Sequence, residues 1–332
     1  MARHGNAGPP ALSPEFDLIE RIRARAGTRA DVLLGIGDDA ALLQVPEGQH
    51  LVWSTDTLVS GVHFPEDTAP AEIGWKSLAV NLSDLAAMGA TPAWVTLALT
   101  LPEPDAGWLD AFLDGFCELA AAHGVALVGG DTTRGPLSIT IGVQGFVPAG
   151  LALRRDGAGF NDDIWVTGTL GDAAGALRQW QAQGLQSAKL RFRLDRPTPQ
   201  VAAGVALREL ASAAIDISDG LLADLGHVLE RSGVGAELDL GRLPTSRTLA
   251  EHFPDEADRW RLQLSGGDDY ELCFTASPAN ALAIEQALAA CEVSATVIGR
   301  ITRESALRLH TPEGEEFDVG AAPGFDHFKD KP

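Results

Sequence analysis

Between residues 70 and 89, "PAEIGWKSLAVNLSDLAAMG", apolar side chains recur on nearly every side of a helix. Leu78, Val80, Leu82, Leu85 and Ala86 cover most of the circumference, and Ser77, Asn81 and Asp84 form one narrow polar stripe at i, i+4, i+7. Such a helix is largely buried, so its aspartate needs a partner. The pattern predicts an amphipathic helix in "EFDLIERIRARAG" and short strands in "DVLLGIG", "AALLQV" and "HLVWSTDTLV". Strand "AWVTLALTL", helix "DAGWLDAFLDGFCELAAAHG" and strands "VALVGGD" and "LSITIGVQGFV" follow.

The stretch "VPAGLALRRDGAGFNDD" is rich in Gly, Pro and charge, and it divides the chain into domains at 1–148 and 149–332. Beyond it the pattern predicts strand "DIWVTG", helices near 171–183 and 198–211, strand "AAIDIS", a helix from about Ser218, and strand "GAELDL". Strand "YELCFTA", a helix over 278–291 and strands "ATVIGRI" and "ALRLHT" complete it. Strands and helices mix in both halves without strict alternation, which predicts two α+β or α/β domains rather than one barrel.

Composition narrows the function. The 332 residues carry a formal net charge of −21, which disfavours nucleic acid and anionic membranes as partners. The three cysteines, Cys117, Cys273 and Cys291, are far apart and show no C-x-x-C spacing, so they read as thiols in a reducing cytoplasm. No run approaches the length of a membrane helix.

"GIGDDAALL" (35–43) fits the dinucleotide pattern G-x-G-x-x-G/A through Gly35, Gly37 and Ala40. That fit is rejected. Pro46 and Gly48 leave no room for the long helix the pattern needs, and Asp38 and Asp39 would repel a pyrophosphate.

The acids instead form a series. Asp38, Asp56, Asp84, Asp131, Asp216, Asp219, Asp268 and Asp269 each lie in or at the end of an apolar run, beside Gly, Ser or Thr. Taken singly, each fits a cap or a turn. Together they cannot stand unpaired, since two like charges about 4 Å apart repel by about 4 kcal/mol at an effective dielectric near 20. Hard oxygen ligands with hydroxyls nearby favour Mg²⁺ over zinc. Gly129 and Gly130 before "DTTRG" offer backbone N–H groups to a phosphate, and Ser218 reads as an N-cap making a second anion seat. No P-loop occurs, and the four lysines lie outside these glycine and aspartate motifs, so phosphate charge here falls mainly to metal ions.

The blocks "GIGDDAALL", "STDTLVSGVHF", "KSLAVNLSDLAAMGA", "LVGGDTTRGPL", "AIDISDGLLADLGHV", "LSGGDDYELCF" and "GFDHF" resemble the thiamine-monophosphate kinase family, within the aminoimidazole-ribonucleotide synthetase superfamily. The resemblance implies an α+β N-terminal domain whose sheet pairs with a second subunit's in a homodimer barrel, and a C-terminal α/β domain closing the site. It implies ATP and thiamine monophosphate as substrates. Asp38, Asp56, Asp84, Asp131 and Asp219 would be catalytic acids on Mg²⁺, joined by Asp216, Ser54 and Thr55. Gly130, Asp131 and Thr132 would hold nucleotide phosphates, with Arg155 and Ser218 on the ATP side. His63, Asp268 and Phe325 would meet thiamine phosphate. The family usually has Glu where this chain has Asp268, and often Tyr or Trp where it has Phe325. The rival readings are another ATP-using member of the superfamily and a non-catalytic nucleotide or Mg²⁺ sensor.

Overall fold

The structure is a computed structural model, and it describes residues 14–320. Helix α1 (Pro14–Arg25) leads into a short antiparallel hairpin of β1 (Val32–Leu34) and β2 (Leu42–Leu43). No helix follows Gly35 and Gly37, in accord with rejecting the dinucleotide pattern. Then come β3 (Gln49–Val59), α2 (Pro70–Ala87), β4 (Thr91–Leu101), α3 (Ala106–Ala122), β5 (Ala126–Arg134) and β6 (Ser138–Pro148). Their sheet has the order β3-β6-β4-β5, with β4 and β5 parallel and the other pairs antiparallel. Val95, Leu97, Leu99, Ile139, Ile141 and Val143 turn one face of it onto α2 and α3.

Helices α2 and α3 touch backbone to backbone. A Cβ on Gly74 would lie 1.9 Å from the Phe112 carbonyl oxygen, and one on Gly115 would lie 1.8 Å from that of Ala71. Only glycine permits that approach, which draws α2 deep enough that Ser77, Asn81 and Ser83 have no exposed surface. Its all-round apolar pattern therefore has the expected outcome.

The second half contains β7 (Asp163–Thr167), α4 (Asp172–Gln181), α5 (Ala188–Asp195), α6 (Val201–Ala206), β8 (Ala213–Asp216), α7 (Leu221–Ser232) and β9 (Gly235–Asp239). It continues with α8 (Arg247–His252), α9 (Glu256–Ser265), β10 (Leu272–Ala276), α10 (Ala281–Ala290), β11 (Ala295–Thr302) and β12 (Leu307–His310). The six-stranded sheet runs β12-β9-β11-β7-β10-β8, and only β12 and β9 are parallel neighbours.

Helices α5, α8 and α9 are additions to the sequence reading, and the helix expected over 198–211 shortens to α6. Helix α7 starts at Leu221, not Ser218, with Gly220 at its N-cap and no side-chain cap. The two halves meet along α2, against which α5 and α6 pack. Arg196 of the second half reaches Glu72 and stacks over Trp75, whose ring N–H donates to the Pro197 carbonyl.

Candidate active site

Strand alternation places Ser54 and Asp56 on one face of β3 and Thr55 on the exposed other. The inner face meets the polar stripe of α2. The Ser54 hydroxyl donates to Asp84 Oδ2, and the Asp56 N–H donates to Asn81 Oδ1 at 3.1 Å. Asn81 is fixed in turn by donating to the Ser77 carbonyl at 2.9 Å. One residue before Asp84, the Ser83 hydroxyl crosses to the second half and donates to Asp216 Oδ2 at 2.7 Å, at the end of β8.

Beyond Asp216 the chain turns through Ser218 and Asp219 into α7. Asp224, in the first turn of α7, accepts the N–H groups of Ser218 at 3.0 Å and Asp219 at 3.1 Å. A carboxylate from inside the helix thus holds the turn that precedes it, and the Ser218 side chain is not the cap expected of it. Asp268 completes the border. Its N–H donates to the Ser218 carbonyl, its Oδ1 accepts from the Tyr270 hydroxyl at 2.9 Å, and its Oδ2 lies 3.1 Å from Lys76 Nζ.

The electrostatics show how crowded these acids are. Burial, followed by repulsion from Asp84 and Asp219, pushes Asp56 up to about 6. Burial and then Asp84 push Asp216 up to about 8, against the opposing hydrogen bond from Ser83. Burial and Asp219 push Asp224 up to about 7. Burial also raises Asp84, opposed by the Ser54 hydroxyl and the Arg155 guanidinium. Arg155 likewise lowers Asp216 and Asp224, so this exposed arginine looks onto the acidic cluster. The folded chain gathers more carboxyls here than its own cations offset, so without a bound cation some of them hold protons, as at a site shaped for a divalent cation.

Asp56, Asp84, Asp216 and Asp219 are therefore brought together, with Ser54, Arg155, Ser218 and Asp268 around them. Asp38 and Asp131 are not in this group. Asp38 is exposed in the loop after β1, its Oδ1 accepting the N–H of Asp39. Asp131 is exposed on β5, at the opposite edge of the sheet from β3. Register pairs Asp56 with Ile141, Ile141 with Leu97, and Leu97 with Gly130, so Asp56 and the Gly130–Asp131 step are three strands apart, roughly 14 Å. Among the described residues, no three His, Cys, Asp or Glu side chains stand in an arrangement that could hold a metal ion.

Gly130 has its own structural reason. A Cβ there would lie 1.8 Å from the Leu97 carbonyl oxygen, so strand packing already demands glycine. Thr132 follows it inside β5. His63 Nδ1 accepts the Val59 N–H at 2.9 Å, which fixes its ring in the turn after β3. Phe325 lies outside the described residues.

The sequence reading missed Lys76, Ser83, Asp224 and Tyr270. Lys76 stood in plain view as a cation inside the same apolar helix that made Asp84 conspicuous. Asp224 had the signal of an acid in a first helical turn.

Comparison with known proteins places this geometry. Residues 37–147 match the family model "AIR synthase related protein, N-terminal domain", and residues 161–311 match its C-terminal counterpart. The chain is 50% identical to thiamine-monophosphate kinase of Escherichia coli strain K12, over 95% of this chain and 98% of that protein. It belongs to the thiamine-monophosphate kinase family. A solved thiamine-monophosphate kinase from Stenotrophomonas maltophilia K279a superposes with a TM-score of 0.84 at 54% identity, covering 91% of this chain and 97% of that one. AaThiL complexed with AMPPCP and TMP superposes at 0.74 with 29% identity, covering 94% and 96%. The hydrogenase-maturation protein HypE of E. coli, at 22% identity and a TM-score of 0.75, shares the fold. Thiamine-monophosphate kinases are phosphotransferases, and the two-domain α+β architecture is that of this family.

Proposed function

We propose that the protein transfers the γ-phosphoryl group of ATP to the phosphate of thiamine monophosphate, giving thiamine diphosphate and ADP, by direct in-line transfer. The observation that carries this is the convergence of Asp56, Asp84, Asp216 and Asp219 from β3, α2 and the β8–α7 turn onto one junction between the two sheets. A relative of the same fold is complexed with AMPPCP and TMP, which supports ATP and thiamine monophosphate as this chain's substrates.

The chemistry of the donors suits Mg²⁺, although among the described residues no three acidic side chains converge on one point. The donor set consists of carboxylates and hydroxyls, is short of positive charge, and contains no thiol. Ser54, Asp56, Asp84, Asp216 and Asp219 would hold the ions, with Asp38 and Asp131 serving other positions along the substrates. Thr55 would take part through its backbone, since its side chain faces away. Bound there, Mg²⁺ would neutralise phosphate charge and align the two substrates.

The acceptor needs no general base, because a phosphate whose second pKa is about 6 is mostly a dianion at neutral pH. Work left to the side chains is therefore positioning. Gly130, Asp131 and Thr132 would receive nucleotide phosphates. Arg155 would add a cation on the ATP side, beside Ser218. His63 and Asp268 would meet the acceptor, together with Phe325.

We place residues 1–148 in a domain that dimerises and binds nucleotide, and 149–332 in one that closes the site. A homodimer is supported by edge strand β3, which leaves Leu51 and Trp53 exposed. A cytoplasmic setting is supported by three unbridged cysteines. Among the described residues no helix is long and apolar enough to cross a membrane.

Phosphorus NMR of the protein with thiamine monophosphate, ATP and Mg²⁺ tests the reading. Appearance of diphosphate resonances dependent on all three components supports it. ATP and Mg²⁺ binding without product would favour the sensor, and a phosphorylated side chain trapped in a single turnover would overturn direct transfer.

A further inference from the structure

Lys76 is 1% exposed within α2, thirteen of whose eighteen residues are buried. Among the described residues its one ion pair is with Asp268, its charge also acts on the buried Asp195 carboxylate, and its Nζ makes no hydrogen bond. An ammonium buried on these terms is costly to the fold, and a leucine or methionine would pack the same space without that cost. Its position needs another reason.

The reason lies in what it grips. The Asp268 side chain is 27% exposed and borders the acidic cluster. Lys76 takes one carboxylate oxygen and the Tyr270 hydroxyl takes the other. Asp268 and Tyr270 both have left-handed backbone, at φ 65° and 51°, a conformation non-glycine residues keep only where surroundings enforce it. Those surroundings are here. The N–H groups of Asp268 and Tyr270 donate to the carbonyls of Ser218 and Ile217, and Asp269 between them accepts the Gly171 N–H at 2.9 Å. A strained loop bolted at each residue, with both carboxylate oxygens held and one edge open, is a preset anionic contact.

We propose that Lys76 is a positioning residue for the acceptor: acting from α2, with Tyr270 opposite, it fixes the direction in which Asp268 presents its carboxylate to the cationic thiamine moiety. This deepens the proposed kinase reading and rests on it. Because the ion pair also links the first half of the chain to the second, Lys76 sets the acceptor contact only when the two halves are docked.

The test uses the full-length protein and compares wild type with Lys76→Met, Lys76→Arg, Asp268→Asn and the Lys76→Met/Asp268→Asn double variant. Lys76→Met should raise KM for thiamine monophosphate about tenfold or more while shifting KM for ATP less than about twofold. Lys76→Arg should restore part of the loss. The double variant should be no worse than Asp268→Asn alone, because the two residues act as one unit. Calorimetric binding of thiamine monophosphate in the presence of AMPPCP reads the same contact without turnover, and melting temperature reports folding. An unchanged acceptor KM in folded Lys76→Met, or equal rises for both substrates, would overturn the proposal and leave the kinase reading standing. Wild type that neither turns over nor binds thiamine monophosphate would end both.

Discussion

The Ser83 hydroxyl donates to Asp216 Oδ2 at 2.7 Å across a sequence separation of 133 residues. Both groups are buried, and the bond ties the central helix of the first half to the β8 terminus of the second. Ser83→Ala leaves a buried carboxyl short of one donor. The expected cost is about 1–2 kcal/mol of stability, together with a further rise in the Asp216 pKa. Urea unfolding measures the first, and an unchanged midpoint would mean that Asp216 finds another partner.

The raised carboxyls make stability without metal depend on pH. Folded Asp56, Asp224 and Asp216 sit at about 6, 7 and 8, above their ordinary 3.8. Such groups bind more protons folded than unfolded in this range. Their contribution is whole below about pH 4 and is lost as pH rises through the folded values. With metal chelated, the melting temperature should fall between pH 6 and 8, and Mg²⁺ should restore more at pH 8 than at pH 6. A melting temperature flat across that range, with and without Mg²⁺, would contradict the crowding of these acids.

Asp131 offers the opposite separation of function from fold. It is exposed on β5, so Asp131→Asn should change stability by no more than about 0.5 kcal/mol. Turnover should nevertheless drop by about a hundredfold or more, because a neutral amide there would no longer draw Mg²⁺ to the nucleotide phosphates. The two readings are a thermal melt and a steady-state assay. Near-normal turnover would remove Asp131 from the site.

What the sequence revealed follows from which physical signals are local. The stripe Ser77–Asn81–Asp84 was legible because helical period alone puts three polar residues on one face of an otherwise apolar helix. Asp216 and Asp219 were legible as acids ending an apolar run. The distance between Asp56 and Asp131 was not, because strand order β3-β6-β4-β5 puts two similar strands at opposite edges and no residue pattern encodes that order. Gly130 read as a phosphate contact, while the Leu97 carbonyl that requires it belongs to a neighbouring strand. Helix α5, "AKLRFRLD", escaped although Arg191 pairs with Asp195 one turn on, because its further ion pairs, Arg191 with Asp67 and Arg193 with Glu271, join residues remote in sequence. Lys76 escaped because lysine in a helix is ordinarily a surface residue.

The glycine contact between α2 and α3 makes a stability prediction independent of chemistry. In Gly115→Ala the added methyl would lie 1.8 Å from the Ala71 carbonyl oxygen, so the helices must separate. Overpacking of this kind costs about 2–3 kcal/mol. Because α2 carries Ser83 and Asp84, activity should fall along with the urea midpoint. A normal midpoint would show that α3 moves aside without penalty.

Edge strand β3 gives the test of assembly. Its outer face shows Trp53, 66% exposed, and Leu51, 43% exposed, paired across to Gln144 and Phe146 of β6. A long exposed edge strand bearing large apolar side chains invites pairing with another strand unless it is covered. In the proposed homodimer a second copy covers it. Trp53→Glu places a charge in the middle of that face, where burial without a counter-ion is unfavourable. The variant should run as a monomer in light scattering at concentrations where the wild type is a dimer. Its far-UV circular dichroism should be unchanged, since Trp53 packs little within its own chain. Asp56 lies three residues along the same strand on the inner face, so loss of the partner should also lower turnover by loosening β3. Wild type that scatters as a monomer throughout the micromolar range, or Trp53→Glu that remains dimeric, would mean that this face is not where two copies meet.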